Sequence, residues 1–146
     1  MKKKYIIGLL LALYLYLLFK ILVFKDLPEI EIGHLKFRMG GTQSGDGNWV
    51  PLKTIIPYFL GKKGLLIGGL NIVGNIGLLM PLGYILPFLY RSVKWAKMIF
   101  FAITFSFLIE GIQSFYQIGI FDIDDVILNS IGILLGFQIY LLFKKE

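Results

Sequence analysis

Long apolar runs separated by short polar connections dominate this chain. The runs cover residues 5–24, 65–90, 98–118 and 123–143. Each contains the roughly 20 residues that a helix needs to cross the hydrocarbon core of a bilayer. The pattern therefore predicts an all-α integral membrane protein, in which four transmembrane helices form a single domain over residues 1–146.

The connection between the first two runs is too long to be a plain turn. Residues 25–63 begin with a polar, glycine-rich part and end in WVPLKTIIPYFL, which is apolar enough to lie in the membrane interface. Pro51 and Pro57 limit how much of this stretch can be helical. We therefore expect a long loop between helices 1 and 2 that contains a short amphipathic element.

Composition supports the membrane assignment and excludes some chemistry. The chain is 57% hydrophobic, and its mean hydropathy of +0.77 is too high for a soluble domain of this size. There is no cysteine, which excludes disulfides and thiolate catalysis, and His34 is the only histidine, which excludes multi-histidine metal sites.

The basic residues predict the orientation of the bundle. The net charge of +6 comes largely from clusters at the ends of the apolar runs, a distribution typical of topology control and not of nucleic-acid binding. These clusters are Lys2, Lys3 and Lys4; Arg91, Lys94 and Lys97; and Lys144 and Lys145. Both termini are therefore expected to be cytoplasmic and residues 25–63 extracellular, although that loop carries some basic residues of its own.

Polar side chains inside the apolar runs are the candidate functional residues. At about 1.5 Å per residue, Asn75, Glu110 and Asn129 lie roughly 15, 12 and 10 Å below the outer surface. Polar residues spaced three or four apart share one face of their helix. Three such pairs occur: Asn71 with Asn75, Glu110 with Gln113, and Asp125 with Asn129. Because polar groups in hydrocarbon need partners, we expect these residues to line a polar pocket that opens to the outside.

Structural explanations compete with a functional one for several of these residues. The asparagines could form interhelical hydrogen bonds that hold the helices together. The aspartates at 122, 124 and 125 fit the first turn of the fourth helix, with Asp122 as its N-cap. Asp124 fits that role best, so Asp124→Asn is expected to have little effect. Glu110 fits a structural role least, because a carboxyl in mid-span is costly unless it is protonated or paired.

Small residues predict where helices approach closely. Gly132 and Gly136 have the four-residue spacing that allows the backbones of two membrane helices to approach each other. Gly64 and Gly68 have the same spacing near the start of the second run.

Four sequence blocks resemble the VanZ-like family. They are NWVPLKTI in the loop, NIVGNIGLLMPLGYILP in the second run, FLIEGIQSF in the third, and FDIDDVILNSIGILLGF in the fourth. The resemblance covers about residues 48–140, and the combination of E-x-x-Q with D-x-x-D-x-x-x-N is its most specific part.

The resemblance implies a multi-pass protein of the bacterial plasma membrane, from a family whose founding member is associated with resistance to the glycopeptide teicoplanin. Many relatives carry an arginine before the loop block, and here Arg38 is the candidate for that position. The positions that match the family motifs are Asn48, Pro51, Asn75, Pro81, Glu110, Gln113, Asp122, Asp125 and Asn129.

Three functions remain open from the sequence. In the first, the outer pocket engages a cell-wall precursor, a lipid head group or a glycopeptide and lowers teicoplanin susceptibility. In the second, the protein is a membrane-embedded enzyme acting on an envelope lipid or lipid-linked sugar, with Glu110 and Asp125 as the candidate catalytic pair. In the third, it is a non-catalytic membrane partner protein. No cofactor is predicted, but the two carboxylates could hold a divalent cation. Membrane lipids are the expected surroundings, nucleic acid is not an expected partner, and the sequence does not predict an oligomeric state.

Overall fold

The computed structural model describes residues 2–21, 30–32, 35–37, 45–62, 65–90 and 93–144. Within these residues the chain forms five helices and two short strands. They are α1 (Lys2–Phe19), β1 (Ile30–Ile32), β2 (Leu35–Phe37), α2 (Ile55–Phe59), α3 (Leu65–Leu89), α4 (Trp95–Phe115) and α5 (Ile123–Phe143). The helical architecture is confirmed. The antiparallel pairing of β1 with β2, inside the long loop, was not expected from the sequence.

Three helices in the described part of the chain are long and apolar enough to cross a membrane. These spans are Gly68–Leu89 within α3, Trp95–Phe115 and Ile123–Phe143. The apolar part of α1, Tyr5–Phe19, is shorter than a standard span. A membrane-embedded helical protein is therefore supported, and the fourth span stays a prediction.

The centre of the bundle is the contact between α3 and α5, where glycines bring the backbones together. A Cβ added at Gly83 would lie 1.8 Å from the carbonyl oxygen of Ile133, and one at Gly136 would lie 1.9 Å from that of Met80. Gly132 faces the backbone of α3 in the same way. The predicted close packing at Gly132 and Gly136 is confirmed, because no side chain fits between the two helices at these positions.

Helices α1 and α4 pack around this pair and complete the apolar core. The Tyr14 hydroxyl donates a hydrogen bond to the Leu78 carbonyl, which ties α1 to α3. The Ser130 hydroxyl, on α5, lies 3.2 Å from that of Ser106 on α4. Buried apolar side chains from all four helices form a core cluster, made of Leu11, Leu18, Leu79, Leu82, Met98, Ala102, Ile133 and Phe137.

Helix α4 ends at Phe115, three residues before the end of the apolar run that predicted it. The chain leaves the helix at Gln117, whose φ of 55° is left-handed. The N–H of Ile118 donates to the Gln113 carbonyl at 2.9 Å, and that of Gln117 donates to the Ser114 carbonyl at 3.1 Å. This pattern is a Schellman motif, which satisfies carbonyls that the helix leaves unpaired.

The end of the bundle where α3 begins, α4 ends and α5 begins is called the loop-side end below.

Candidate functional site

The N-terminus of α5 organises the polar residues at the loop-side end. Asp122 has extended backbone angles and its side chain accepts the N–H of Asp124 at 2.9 Å, so the predicted N-cap is confirmed. The same carboxylate accepts the side-chain amide of Asn48 at 2.8 Å and the hydroxyl of Thr54 at 2.7 Å. One aspartate therefore caps the helix and binds the loop that precedes α2.

The loop also joins α5 through its backbone. The N–H of Asn48 donates to the Phe121 carbonyl at 2.7 Å, and the N–H of Ile123 donates to the Asn48 carbonyl at 2.9 Å. The Trp49 ring stacks on the Phe121 ring with centroids 4.2 Å apart. These contacts fix the position of Asn48 beside the start of α5 independently of its side chain.

Asp124 has a larger role than the sequence suggested. Its side chain is fully buried, and its carboxylate accepts three backbone N–H groups, from Leu52 at 2.5 Å, Thr54 at 2.6 Å and Ile55 at 3.1 Å. Leu52 has a left-handed φ of 67°, which costs a residue with a Cβ about 1–2 kcal/mol. Asp124 lies in the first turn of α5, as expected, and its carboxylate also holds this strained turn in place. Asp124→Asn should therefore cost more stability than its place in the helix alone suggests.

The other end of the same loop is held against α3 by Tyr58. The side-chain amide of Asn71 donates to the Tyr58 hydroxyl at 3.4 Å. A Cβ at Gly68 would lie 2.8 Å from that of Tyr58, so the glycine allows this contact. Burial raises the pKa of the Tyr58 phenol, and negative charge on Asp125 and Asp122 raises it further. The phenol therefore stays neutral to a higher pH than an exposed tyrosine would.

Residues 48–60, called the site loop below, thus bridge the first turns of α5 and α3. Asp122 and Asp124 hold its beginning and middle, and the Tyr58 contacts hold its end. The apolar pattern predicts that this stretch lies in the membrane interface, and Thr54 and Tyr58 are not among the predicted site residues. The polar Thr54 and Tyr58 within an apolar stretch were the available signal.

Three helices contribute carboxylates and amides just below the site loop. The side-chain amide of Asn75, on α3, donates to Asp125 Oδ1 on α5 at 2.7 Å. Glu110, on α4, is 3% exposed, and its Oε2 accepts the backbone N–H of Asp122 at 3.4 Å. The structure therefore brings both candidate catalytic carboxylates to the same end of the bundle. Their joint action stays a prediction.

Gln113 and Asn129, on α4 and α5, are also buried, at 8% and 2% exposed. Among the residues that the structure describes, no hydrogen-bond partner is found for Asn129 Oδ1. An unmet buried acceptor costs about 1–3 kcal/mol, which a ligand or water with a donor would recover. An open polar pocket is not shown, because many of the polar side chains in the described site bond to one another.

Two predicted features cannot be placed at this site. Arg38 lies outside the described residues. No group of three or more histidine, cysteine, aspartate or glutamate side chains suited to a metal ion occurs in the part of the chain that the structure describes. A divalent cation held by Glu110 and Asp125 stays a prediction.

These features define a helical membrane protein with carboxylates and amides gathered at one end of its bundle. The profile of the VanZ/LLP1 family matches residues 11–144, and the chain belongs to this family. It is similar to protein VanZ of Enterococcus faecium, with 31% identity over 76 residues. That alignment covers 52% of this chain and 47% of the relative, so the chain matches about half the length of that protein. No solved structure matches the chain significantly.

Proposed function

We propose that this protein acts in the bacterial cell envelope, where the polar residues at the loop-side end engage a ligand and lower teicoplanin susceptibility. The candidate ligands are a cell-wall precursor, a lipid head group and a glycopeptide. The observation that carries the proposal is the buried carboxyl of Glu110 beside the N-terminus of α5, at the end of the bundle where Asn75 holds Asp125. Family membership supports the link to resistance.

The polar residues of the three helices at the loop-side end are called the polar cluster: Asn75, Glu110, Gln113, Asp125 and Asn129. Their chemistry favours a ligand that donates hydrogen bonds. An ionised carboxylate accepts hydrogen bonds and donates none, and it can accept several. The unmet Oδ1 of Asn129 adds a further acceptor within the same part of the bundle. Hydroxyl and amino groups, which sugars and peptides carry in number, complement such a site.

The proposal needs the loop-side end to face outward, as the basic clusters predict. Single cysteines at positions 44 and 92 test the orientation with an impermeant thiol reagent in intact cells. We expect Ser44→Cys to react readily and Ser92→Cys to react only after lysis. The reverse labelling pattern would put the loop-side end at the cytoplasmic surface and would contradict the proposal of an outward-facing site.

Glu110→Gln and Asp125→Asn test the function itself. Each substitution keeps the shape and removes the titratable group. We expect either one to abolish the difference in teicoplanin susceptibility between a deletion strain and its complemented counterpart, at normal protein abundance. The double variant should be no worse than either single one, because residues that act as a unit are not additive.

Asp46→Asn is the matched control for these variants, since Asp46 is exposed and lies outside the cluster. It should leave susceptibility unchanged. Full activity of Glu110→Gln would reduce the cluster to a packing element. Vancomycin is measured in parallel, and unchanged susceptibility to both drugs on deletion would count against the whole proposal.

A membrane-embedded enzyme is the second candidate, favoured by the same buried carboxyl. A carboxyl as buried as Glu110 is suited to general acid or base chemistry, with Asp125 as a second carboxylate and a divalent cation as a further component. Profiling of lipids and lipid-linked precursors in the deletion strain distinguishes this candidate. Identical pools in the deletion and complemented strains would leave binding without catalysis.

A further inference from the structure

The site loop lies between the loop-side surface and the polar cluster. Glu110 and Asn129 are 3% and 2% exposed, although the proposed function requires a ligand to reach the cluster. Glu110 Oε2 accepts the backbone N–H of Asp122. The carboxylate of Asp122 in turn accepts hydrogen bonds from Asn48 and Thr54 of the site loop. A ligand that approaches from the loop-side end therefore meets the site loop first.

Two left-handed residues bracket the second part of the site loop. The φ angles of Leu52 and Gly61 are both 67°. Residues 53–60, which lie between them and include α2, are called the lid below. Glycine adopts this angle readily, whereas leucine is strained there and is held by the bonds that Asp124 makes with its N–H and the two beyond Lys53. Rotation at two such positions can move the intervening segment as a unit.

Mostly polar contacts hold the lid closed. Ile55 is the buried residue of α2, while Ile56 and Phe59 are 49% and 71% exposed. The other attachments include N–H groups on the Asp124 carboxylate and the long hydrogen bond to the Tyr58 hydroxyl. Segments with few buried apolar contacts open at a lower free energy than the core. The lid can therefore open while the helices stay packed.

We propose that the lid swings about Leu52 and Gly61 and so controls access to the polar cluster. The inference rests on the proposed function and adds the regulation of its site. Rotation about the φ angle of Leu52 moves the chain that follows and leaves its own N–H on Asp124. The first part of the site loop, joined to the start of α5 through the backbone of Asn48, therefore stays in place while the lid moves.

Opening the lid also frees acceptors for a ligand. The Asp124 carboxylate loses the N–H groups of Thr54 and Ile55, and the Asp122 carboxylate loses the Thr54 hydroxyl. An unmet buried acceptor is costly, so the lid closes again unless another donor takes their place. The hydroxyl and amino groups of a ligand are such donors. Ligand binding and the open lid therefore favour each other.

A disulfide that locks the lid tests the proposal. The chain has no cysteine, so one engineered pair forms without competition. A Cβ at Gly68 would lie 2.8 Å from that of Tyr58, and a small shift reaches the roughly 3.8 Å typical of a disulfide. Tyr58→Cys with Gly68→Cys, the lid pair, fastens the lid to α3. The control pair, Gly47→Cys with Phe121→Cys, has a Cβ distance of 3.3 Å and fastens the loop before Leu52.

Access is measured at the carboxyl of Glu110 itself. The whole chain in phosphatidylcholine nanodiscs, which expose both faces, is treated with a water-soluble carbodiimide and glycine methyl ester. These convert an accessible carboxyl to an amide, which mass spectrometry maps, and the exposed Asp46 is the reference in each sample. Oxidation of the lid pair should lower the modification of Glu110 several-fold relative to Asp46, and reduction should restore it. The control pair should show no such difference.

Asp124→Asn is a second variant, used so that a poorly folded lid pair does not decide the result. Its weaker hold on the lid should raise the modification of Glu110 several-fold. Four outcomes would each overturn the inference: equal modification in the oxidised and reduced lid pair, no modification in the reduced lid pair, an equal effect of the control pair, or no rise in Asp124→Asn.

The modification of Glu110 and the susceptibility measurements decide different questions. A lid-dependent modification together with unchanged susceptibility on deletion would contradict the proposed function and leave the lid standing. Conversely, loss of function in Glu110→Gln with equal modification in both states of the lid pair would support the proposed function and remove the lid.

Discussion

The contact between α3 and α5 changes character along its length. At the loop-side end the two helices meet through a polar pair, Asn75 on α3 and Asp125 on α5. From Gly132 toward the opposite end they meet through glycines, with backbone against backbone. The change occurs within one or two turns of helix. One helix pair thus uses close packing in one half and polar contacts in the other.

The two halves respond differently to change. At the glycines the opposing atoms are backbone carbonyls, which cannot rotate away as a flexible side chain can. In the polar half, side chains hold one another and can exchange partners, so each contact contributes little to stability but places groups that a ligand can use. We therefore expect the larger contribution of this contact to stability from the glycine half, and function in the polar half.

The largest loss of stability is expected for Gly83→Ala. The new Cβ would meet the Ile133 carbonyl at 1.8 Å, so the helices must separate, at a cost of about 3 kcal/mol. Unfolding in a denaturing detergent, followed by circular dichroism, measures the change. Gly77→Ala is the matched control, because a Cβ there meets nothing within 4 Å. Equal losses in the two variants would refute the close contact.

The next largest effect is expected for Asp124→Asn. The amide would replace one acceptor oxygen with a donor that faces backbone N–H groups, at a cost of about 2 kcal/mol. The released site loop should be cut faster by trypsin after Lys53, which is exposed. Asp46→Asn provides the reference rate. A cleavage rate equal to that of Asp46→Asn would restore the view that Asp124 serves only the start of α5.

A smaller loss of stability with a large loss of function is expected for Asn75→Ala. Hydrogen bonds between membrane helices contribute about 0.6–2 kcal/mol, so the bundle should survive the loss of the bond to Asp125. Teicoplanin susceptibility of the complemented strain should nevertheless resemble that of Glu110→Gln. Full function of Asn75→Ala would contradict the assignment of function to the polar half.

The smallest effect is expected for Tyr58→Phe. Loss of the long hydrogen bond from Asn71 costs about 0.5 kcal/mol. Because the pKa of Tyr58 is raised in the folded state, its contribution to stability is complete below the unfolded pKa of about 10 and is lost as pH rises through the folded value. The wild type should therefore lose stability at alkaline pH more steeply than Tyr58→Phe. Tyr90→Phe, at an exposed tyrosine, should keep the wild-type profile.

Hydrophobic patterning predicted the bounds of those helices whose ends coincide with a change from apolar to polar residues. The bounds of α3 and α5 agree with the predicted runs to within a residue. Helix α4 is displaced from its predicted run at both ends. It starts before Lys97, a charged residue that the apolar run excluded, and the left-handed Gln117 ends it before the run ends. A left-handed position that is not occupied by glycine is hard to predict from the sequence.

The same distinction explains what could be predicted of the site. Helical spacing identified Asn75 and Asp125, because side chains on known faces can be matched by depth. It missed the importance of Asp124, because the partners of this carboxylate are backbone N–H groups, which every residue except proline has. The orientation of Tyr58 depends on the space above Gly68, which only the folded structure shows.

The pairing of Asn48 with Asp122 has a consequence for biosynthesis. The two residues are 74 positions apart, so the ribosome completes the second roughly 4–15 s after the first at about 5–20 residues per second. During that interval the site loop has none of its contacts with α5. A nascent chain that stalls before residue 122 inserts its early helices with this loop held at its Tyr58 end only, and the loop then offers proteases a site that the finished protein protects.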